Sequence, residues 1–288
     1  EEVGGVWWEN RYPGCRLDTP NFAYSLSFAQ KSDWPQQFSR QSEIHGYLKT
    51  VADSAGMRKN IRFATEVDAM VFDEHRKIWS LSVCDRSGKI TTEEFNAVIT
   101  AVGILNRPSF PDIPGLDAFK GTKVHSAAWP ESLDLRGKRV ALVGTGASAF
   151  QIGPSIVESV SKLEIFQRNP PWMLPTPTYH DDIKPGMQWL LHHVPYYGRW
   201  FRFWQFWIAV EGRLPLTEVD DGWNHPVSVG RKNEQLRQGC MEWLTQQYQD
   251  RPDLLKKKLV RALEEKPKEH ELLQLRVGGL QALSQVGG

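Results

Sequence analysis

The sequence has 288 residues, which at roughly 100–200 residues per domain predicts two domains. Hydrophobic residues make up 40% and charged residues 24%, as in ordinary globular proteins, and 35 basic against 34 acidic residues leave a formal net charge of +1. That balance gives no reason to expect a nucleic acid or an anionic membrane as partner. Three cysteines, Cys15, Cys84 and Cys240, are odd in number, far apart and not in metal-ligand spacing, which predicts free thiols, a reducing cytoplasmic setting and no metal site. The opening Glu1-Glu2-Val3-Gly4-Gly5 has neither an initiator methionine nor a charged segment leading into an apolar stretch, so the expectation is a chain without a secretory signal, truncated at its start.

In chain order, residues 1–30 are turn-rich and aromatic, broken by Gly4-Gly5, Tyr12-Pro13-Gly14 and Asp18-Thr19-Pro20. From Ser42 to Met57, Ile44, Tyr47, Leu48, Val51 and Ala55 recur at helical spacing and predict a helix. The period then changes. Trp79, Leu81 and Val83 alternate with polar residues, and Asp73-Glu74-His75 and Asp85-Arg86-Ser87-Gly88 read as hairpin turns. This predicts a β-meander followed by a buried strand, Ala97-Val98-Ile99-Thr100-Ala101. Pro108, Pro111, Pro114 and Gly115 mark a linker over 106–118. Residues 138–167 read as strand, glycine-rich turn, helix and strand, and residues 186–265 as mostly helical, with polar interruptions near Pro226.

The apolar run Val140-Ala141-Leu142-Val143 leads directly into Gly144-Thr145-Gly146-Ala147-Ser148-Ala149, a G-x-G-x-x-A turn of the dinucleotide-binding type. Gly144 permits the tight turn, Gly146 lets a pyrophosphate approach the backbone at a helix N-terminus, and Ala149 is small enough for helix to pack on strand. The second strand, Lys162 to Phe166, is followed by Gln167-Arg168. An NAD site would carry a carboxylate there, whereas an arginine suits the 2′-phosphate of NADP. The alternative is a surface arginine after a structural glycine turn.

Between linker and turn lies Phe119-Lys120-Gly121-Thr122-Lys123-Val124-His125-Ser126-Ala127-Ala128-Trp129-Pro130. On residue chemistry alone His125 reads as a packed or loop histidine. The segment resembles the F-x-G-x-x-x-H-x-x-x-W-P fingerprint of type I Baeyer–Villiger monooxygenases, within the flavin-containing monooxygenase superfamily, matching it at Phe119, Gly121, His125, Trp129 and Pro130. The resemblance extends from Gly4 to about Leu255. Gly4 to Gly14 looks like the family's flavin-contacting segment, and Cys15-Arg16-Leu17-Asp18-Thr19-Pro20-Asn21, Trp34-Pro35 and Asn224-His225-Pro226 are similar to the 4-hydroxyacetophenone monooxygenase type.

The resemblance implies an α/β fold with two Rossmann-like dinucleotide-binding domains, the FAD domain incomplete, and a helical insertion. The implied division is a partial FAD-binding domain over 1–105, linker and NADP-binding Rossmann domain over 106–185, helical insertion over 186–265 and an atypical tail over 266–288. Implied cofactors are FAD and NADP. The implied reaction inserts one oxygen atom of O2 into a ketone, an aryl ketone for the subgroup. Carried over by position, Val6, Trp7, Trp8, Glu9, Asp18, Tyr24 and Val67 would contact FAD. Arg16, Leu17 and Asp18 would approach the nicotinamide half of NADP. Gly144, Thr145, Gly146, Ala147, Ser148, Ala149, Phe150, Gln151, Arg168 and Asn169 would hold the rest. Asp18 is the implied catalytic residue, a carboxylate that orients a neighbouring arginine beside the flavin. Apart from the resemblance it reads as an Asx-turn residue before Thr19-Pro20. His125 and Trp129 would transmit domain movement.

Three features depart from the family. The strand and G-x-G-x-x-G turn for the FAD pyrophosphate would precede Glu1. The Lys-Arg pair that follows Pro252-Asp253-Leu254-Leu255 in the family is replaced by Lys256-Lys257-Lys258-Leu259-Val260-Arg261. Ala101-Val102-Gly103 stands where Ala-Thr-Gly is usual. The expectation is an oxygenase gene fragment or a mis-predicted reading frame, inactive by itself. Alternatives are an N- or S-oxygenating flavin monooxygenase and an inert NADP-binding module. The run Trp200 to Ile208 is too short to cross a bilayer, which needs about 20 residues; it is expected to pack on the NADP domain or around a cavity, the alternative being a helix at a membrane surface.

Overall fold

A computed structural model describes residues 2–168, 171, 174–250 and 252. They form two compact units that do not follow chain order: residues 2–11 with 42–131, and residues 12–41 with the described residues from 132 to 252.

In the first unit, α1 (Val6–Glu9) is a single turn and α3 (Gln41–Ser54) supplies the helix expected from Ser42. Of the apolar set, Ile44 and Tyr47 are buried and Leu48 and Val51 half-buried, whereas Ala55 is exposed; Ala52, outside that set, is buried. The meander is β1 (Glu66–Asp73), β2 (Ile78–Cys84) and β3 (Ile90–Phe95), antiparallel in the order β1-β2-β3. Both predicted turns form. The Asp73 carboxylate accepts from the backbone N–H of His75 and Arg76, each at 2.9 Å, and Lys77 closes that turn at φ 54°. The Asp85 carboxylate accepts from the N–H of Ser87 at 2.8 Å and of Lys89 at 3.1 Å, with Gly88 left-handed at φ 82°. Register shifts between Val67 and Ala69, a bulge at Asp68. Leu81 and Val83 of β2 are buried, the inward half of the predicted alternation.

The buried strand expected over 97–101 does not form. Those residues are irregular and Ile99 is 92% exposed. A buried strand needs neighbours for its peptide groups on both edges. Among the described residues none pairs with this segment.

In the second unit, β4 (Arg139–Val143) and β5 (Lys162–Phe166) pair in parallel from Arg139↔Lys162 to Val143↔Phe166, connected by α4 (Ala147–Ile156). This is the predicted strand–turn–helix–strand unit, the crossover characteristic of mixed α/β proteins. Residues 12–41 belong with it. Leu17 N–H donates to the Ser39 carbonyl and Gln41 N–H to the Cys15 carbonyl, both at 2.9 Å. Asn21, wholly buried, donates to the Gln36 carbonyl at 2.6 Å and the Ser39 hydroxyl at 2.7 Å while accepting from Ser39 N–H at 3.0 Å. Leu17, Phe22, Trp34, Phe38, Ile152, Ile156 and Tyr179 are buried here.

The helical region contains α2 (Asn21–Tyr24), α5 (Pro185–His193), α6 (Tyr197–Ala209) and α7 (Arg231–Gln247). One face of α6 is packed, but against α2, within the residues expected to be FAD domain rather than on the NADP domain: Phe201 meets Phe22 edge-on at 5.1 Å, and Gln205 is buried. Trp200, Phe203, Trp204 and Trp207 remain exposed. The predicted helix beyond Pro252 and the tail over 266–288 lie outside the described residues. Among the described residues no helix is long and apolar enough to cross a membrane.

Candidate nucleotide-binding site

The glycine turn lies at the carboxyl ends of β4 and β5, where Gly144 N–H donates to the Phe166 carbonyl at 2.8 Å. Gly144 has φ 98°, a conformation open to glycine and costly to other residues. A Cβ added at Gly144 or Gly146 would meet nothing within 4 Å, so the space before both backbones is open. Among the described residues no side chain caps α4 at Gly146, so its first N–H groups can face an anion. Gln167 Nε2 donates to Thr145 Oγ1 at 2.9 Å and ties the end of β5 to the turn. Arg168 follows, exposed. Glycine turn, uncapped helix and arginine therefore fit the diphosphate and 2′-phosphate of a nucleotide. One turn beyond Ala149, Gly153 approaches Leu142 of β4, where an added Cβ would lie 3.7 Å from Leu142 Cδ2. Asn169 lies outside the described residues.

The Tyr12–Asp18 loop runs against α4. The Tyr12 hydroxyl donates to Gln151 Oε1 at 3.0 Å, and Gln151 Nε2 donates to the Arg16 carbonyl at 2.9 Å and to the Tyr179 hydroxyl at 3.0 Å. Arg16, 8% exposed, donates through Nε and Nη2 to the Phe38 carbonyl at 3.2 and 2.7 Å and through Nη2 to Gln36 Oε1 at 2.5 Å. Its Nη1 meets His180 Nδ1, and its guanidinium lies 5.0 Å from the Tyr179 ring centre. The arginine head is thus held by protein groups. The Leu17 side chain is 2% exposed and points into the core.

Asp18 is half-buried, and burial pushes its carboxyl above the usual range against hydrogen bonds from its own backbone and the Thr19 hydroxyl. Burial likewise raises the Cys15 thiol to about 11 and the Tyr179 phenol to about 12. His180 is pushed down, by desolvation first and then by Arg16.

The residues expected at FAD fall in both units. Val6, Trp7, Trp8 and Glu9 form α1, none of them buried. The Trp8 ring packs on His45 at 5.4 Å and carries the Arg11 guanidinium 3.7 Å from its centre, and Arg11 pairs with Glu131. Val67 is exposed beside the β1 bulge, and Asp18 and Tyr24 belong to the second unit. Among the described residues no second strand–glycine turn–helix unit is present to receive the FAD diphosphate.

The fingerprint has a structural logic. The Phe119 ring fills the space a Cβ on Gly121 would need. His125 Nδ1 accepts from Ala127 N–H at 3.1 Å and caps a 3₁₀ turn over Ser126–Ala128, while its ring meets Phe110 edge-on at 5.8 Å. Both nearby partners of His125 are therefore structural.

Gln36, Tyr179 and His180, which surround Arg16, were not singled out in the sequence. Their separations from Arg16 or Gln151 reach 164 residues, and no local pattern marks them.

A profile described as flavin-binding monooxygenase-like matches residues 22–183, more than half of the chain. The chain belongs to that family. Among the flavin-binding monooxygenase-like relatives, a Baeyer-Villiger monooxygenase of Streptomyces coelicolor is 47% identical over 173 residues, 60% of this chain and 32% of that protein. Cyclohexanone monooxygenase from Rhodococcus sp. Phi1, solved bound to NADP+, is 35% identical at a TM-score of 0.57 over 64% of this chain and 34% of that one. The OTEMO complex with FAD and NADP aligns over 90% of this chain and 54% of that one, with 27% identity and a TM-score of 0.68. The chain spans about a third of the length of the curated relatives it matches, 32% to 41%.

Proposed function

We propose that this chain is the NADP-binding and part of the FAD-binding region of an FAD- and NADPH-dependent Baeyer–Villiger monooxygenase that converts a ketone and O2 to an ester or lactone in the cytoplasm. The observation that carries the reading is the β4–α4–β5 unit, with its open glycine turn and Arg168 beyond β5. The complete Phe119–Pro130 fingerprint and the names of the relatives support the Baeyer–Villiger branch. The 4-hydroxyacetophenone type and an aryl ketone are the finer expectation, resting on Cys15 to Asn21.

The N-terminal N–H groups of α4 and the backbone at Gly144–Gly146 hold the NADP diphosphate, and Arg168 pairs with the 2′-phosphate. Thr145, Ala147, Ser148, Ala149 and Phe150 shape the turn and first helical residues around it, with Asn169 beyond Arg168. Arg16, Leu17 and Asp18 line the nicotinamide side, Leu17 through its backbone because its side chain is buried. Val6 to Glu9, Tyr24 and Val67 approach FAD. When bound, the two cofactors supply reducing equivalents and activate oxygen. Asp18 provides a carboxylate whose charge burial disfavours, so a cation placed beside it is attracted and oriented. The division into an FAD region over 1–105, an NADP region over 106–185 and a helical insertion from 186 belongs to the same proposal.

Titration of the purified chain with NADPH and NADH tests the nucleotide reading; NADPH should bind at least about tenfold more tightly, and equal binding overturns it. Product analysis with a ketone and a sulfide, using the complete oxygenase, separates ester formation from the sulfoxide that an S-oxygenating enzyme would give.

A further inference from the structure

Gln151 lies in the α4 segment expected to touch NADP directly, yet its side-chain amide has no capacity left for a ligand. An amide has two acceptor positions and two donor hydrogens. Oε1 accepts from the Tyr12 hydroxyl at 3.0 Å and from Arg16 N–H at 3.4 Å. Nε2 donates to the Arg16 carbonyl at 2.9 Å and to the Tyr179 hydroxyl at 3.0 Å. Both sides of the Arg16 residue are thus bracketed by one side chain. The backbone of the same residue closes the contact: Gly14 sits so near that an added Cβ would lie 2.5 Å from the Gln151 carbonyl oxygen.

We propose that Gln151 is a positioning residue that acts on the nicotinamide half of NADP through Arg16–Asp18, without touching the nucleotide. The inference rests on the NADP reading above. Helix α4 presents its N-terminus to the diphosphate. From the second turn of that helix Gln151 fixes the loop that lines the other half of the same ligand. The two halves of the site then share one rigid element, and the loop is at its place before the nucleotide arrives. Removing the amide leaves the peptide groups at Arg16 without these partners and loosens the loop, while the glycine turn and Arg168 are untouched.

The test compares two ligands on purified wild-type chain and on Gln151→Leu. The first is 2′,5′-ADP, which carries the adenosine and 2′-phosphate without nicotinamide; the second is NADP+. In Gln151→Leu the affinity for 2′,5′-ADP should stay within about twofold, which also reports a folded turn and helix. NADP+ should bind roughly fivefold to tenfold more weakly. Tyr179→Phe, which deletes one of the four bonds, should shift NADP+ affinity in the same direction by less. Equal losses for the two ligands would mean general damage to the helix and would overturn the proposal, as would unchanged NADP+ affinity. If the wild-type chain binds neither ligand, the nucleotide reading itself fails and the proposal falls with it.

Discussion

Gly14 and Gln151 are in backbone contact across 137 residues of sequence. Gly14 has φ 78°, and a Cβ built there would stand 2.5 Å from the Gln151 carbonyl oxygen. Gly14→Ala therefore meets two penalties, the left-handed conformation and a collision with helix backbone. Together they should cost about 2 kcal/mol or more. Gly56 is the control: it has φ 60° but open space around it, so Gly56→Ala should cost about 1 kcal/mol. Urea unfolding of both variants measures the difference, and equal midpoints would remove the role given to the Gly14 contact.

Arg168 sets the choice between nucleotides if it meets the 2′-phosphate. Replacing it by Ala should weaken NADPH binding by about 10- to 100-fold, the worth of a charge-assisted contact, and leave NADH binding unchanged. Fluorescence titration with each nucleotide reads both values. A parallel loss for NADH would place the arginine elsewhere on the ligand.

The Arg16–His180 contact makes the second unit sensitive to acid. His180 accepts from a guanidinium, so its neutral form is the compatible one, and its pKa is lowered from 6.5 by desolvation and by Arg16. A histidine with a depressed folded pKa binds its proton more weakly in the native state. Stability should therefore be flat above pH 6.5 and decline as pH falls from there through the folded value. Urea midpoints between about pH 5 and 8 test the sign, and His180→Gln should reduce the slope.

Glu234, in the first turn of α7, is 7% exposed and accepts from Arg237 at 2.6 and 2.8 Å and from Gln238 at 2.9 Å. The Arg237 bonds are the main reason its carboxyl is held down at about 2. The stabilisation should be complete above the ordinary value of 4.5 and be lost as pH falls toward 2. Glu234→Ala should cost about 2–3 kcal/mol at neutral pH, since it strands a half-buried arginine. A thermal shift within error of wild type would show that solvent replaces the pair.

The parts legible in the sequence are those written in local periods. The alternation at Trp79, Leu81 and Val83 with acidic turns at Asp73 and Asp85 announced the meander, and the apolar run into Gly144 announced the parallel unit. The segment 97–101 misled because its apolar composition describes a strand's interior and says nothing of its neighbours, and without neighbours Ile99 faces solvent. The glycine turn of the candidate site was readable, whereas the partners of Arg16 were not. Gln36, Tyr179 and His180 reach it from loops whose sequence carries no period, and tertiary packing alone sets which side chains meet.

The interleaving of the two units has a consequence for a nascent chain. By residue 131 every segment of the first unit has been made, but Phe22 and Phe38 of the second unit meet aromatic partners, Phe201 and Tyr179, that have not yet been synthesised. At about 5–20 residues per second those side chains wait roughly 7 to 36 seconds for their counterparts. The early loop is thus the stretch most in need of a chaperone during synthesis, and mutations in α4 that delay its docking should lower the yield of soluble protein before they alter any property of the finished fold.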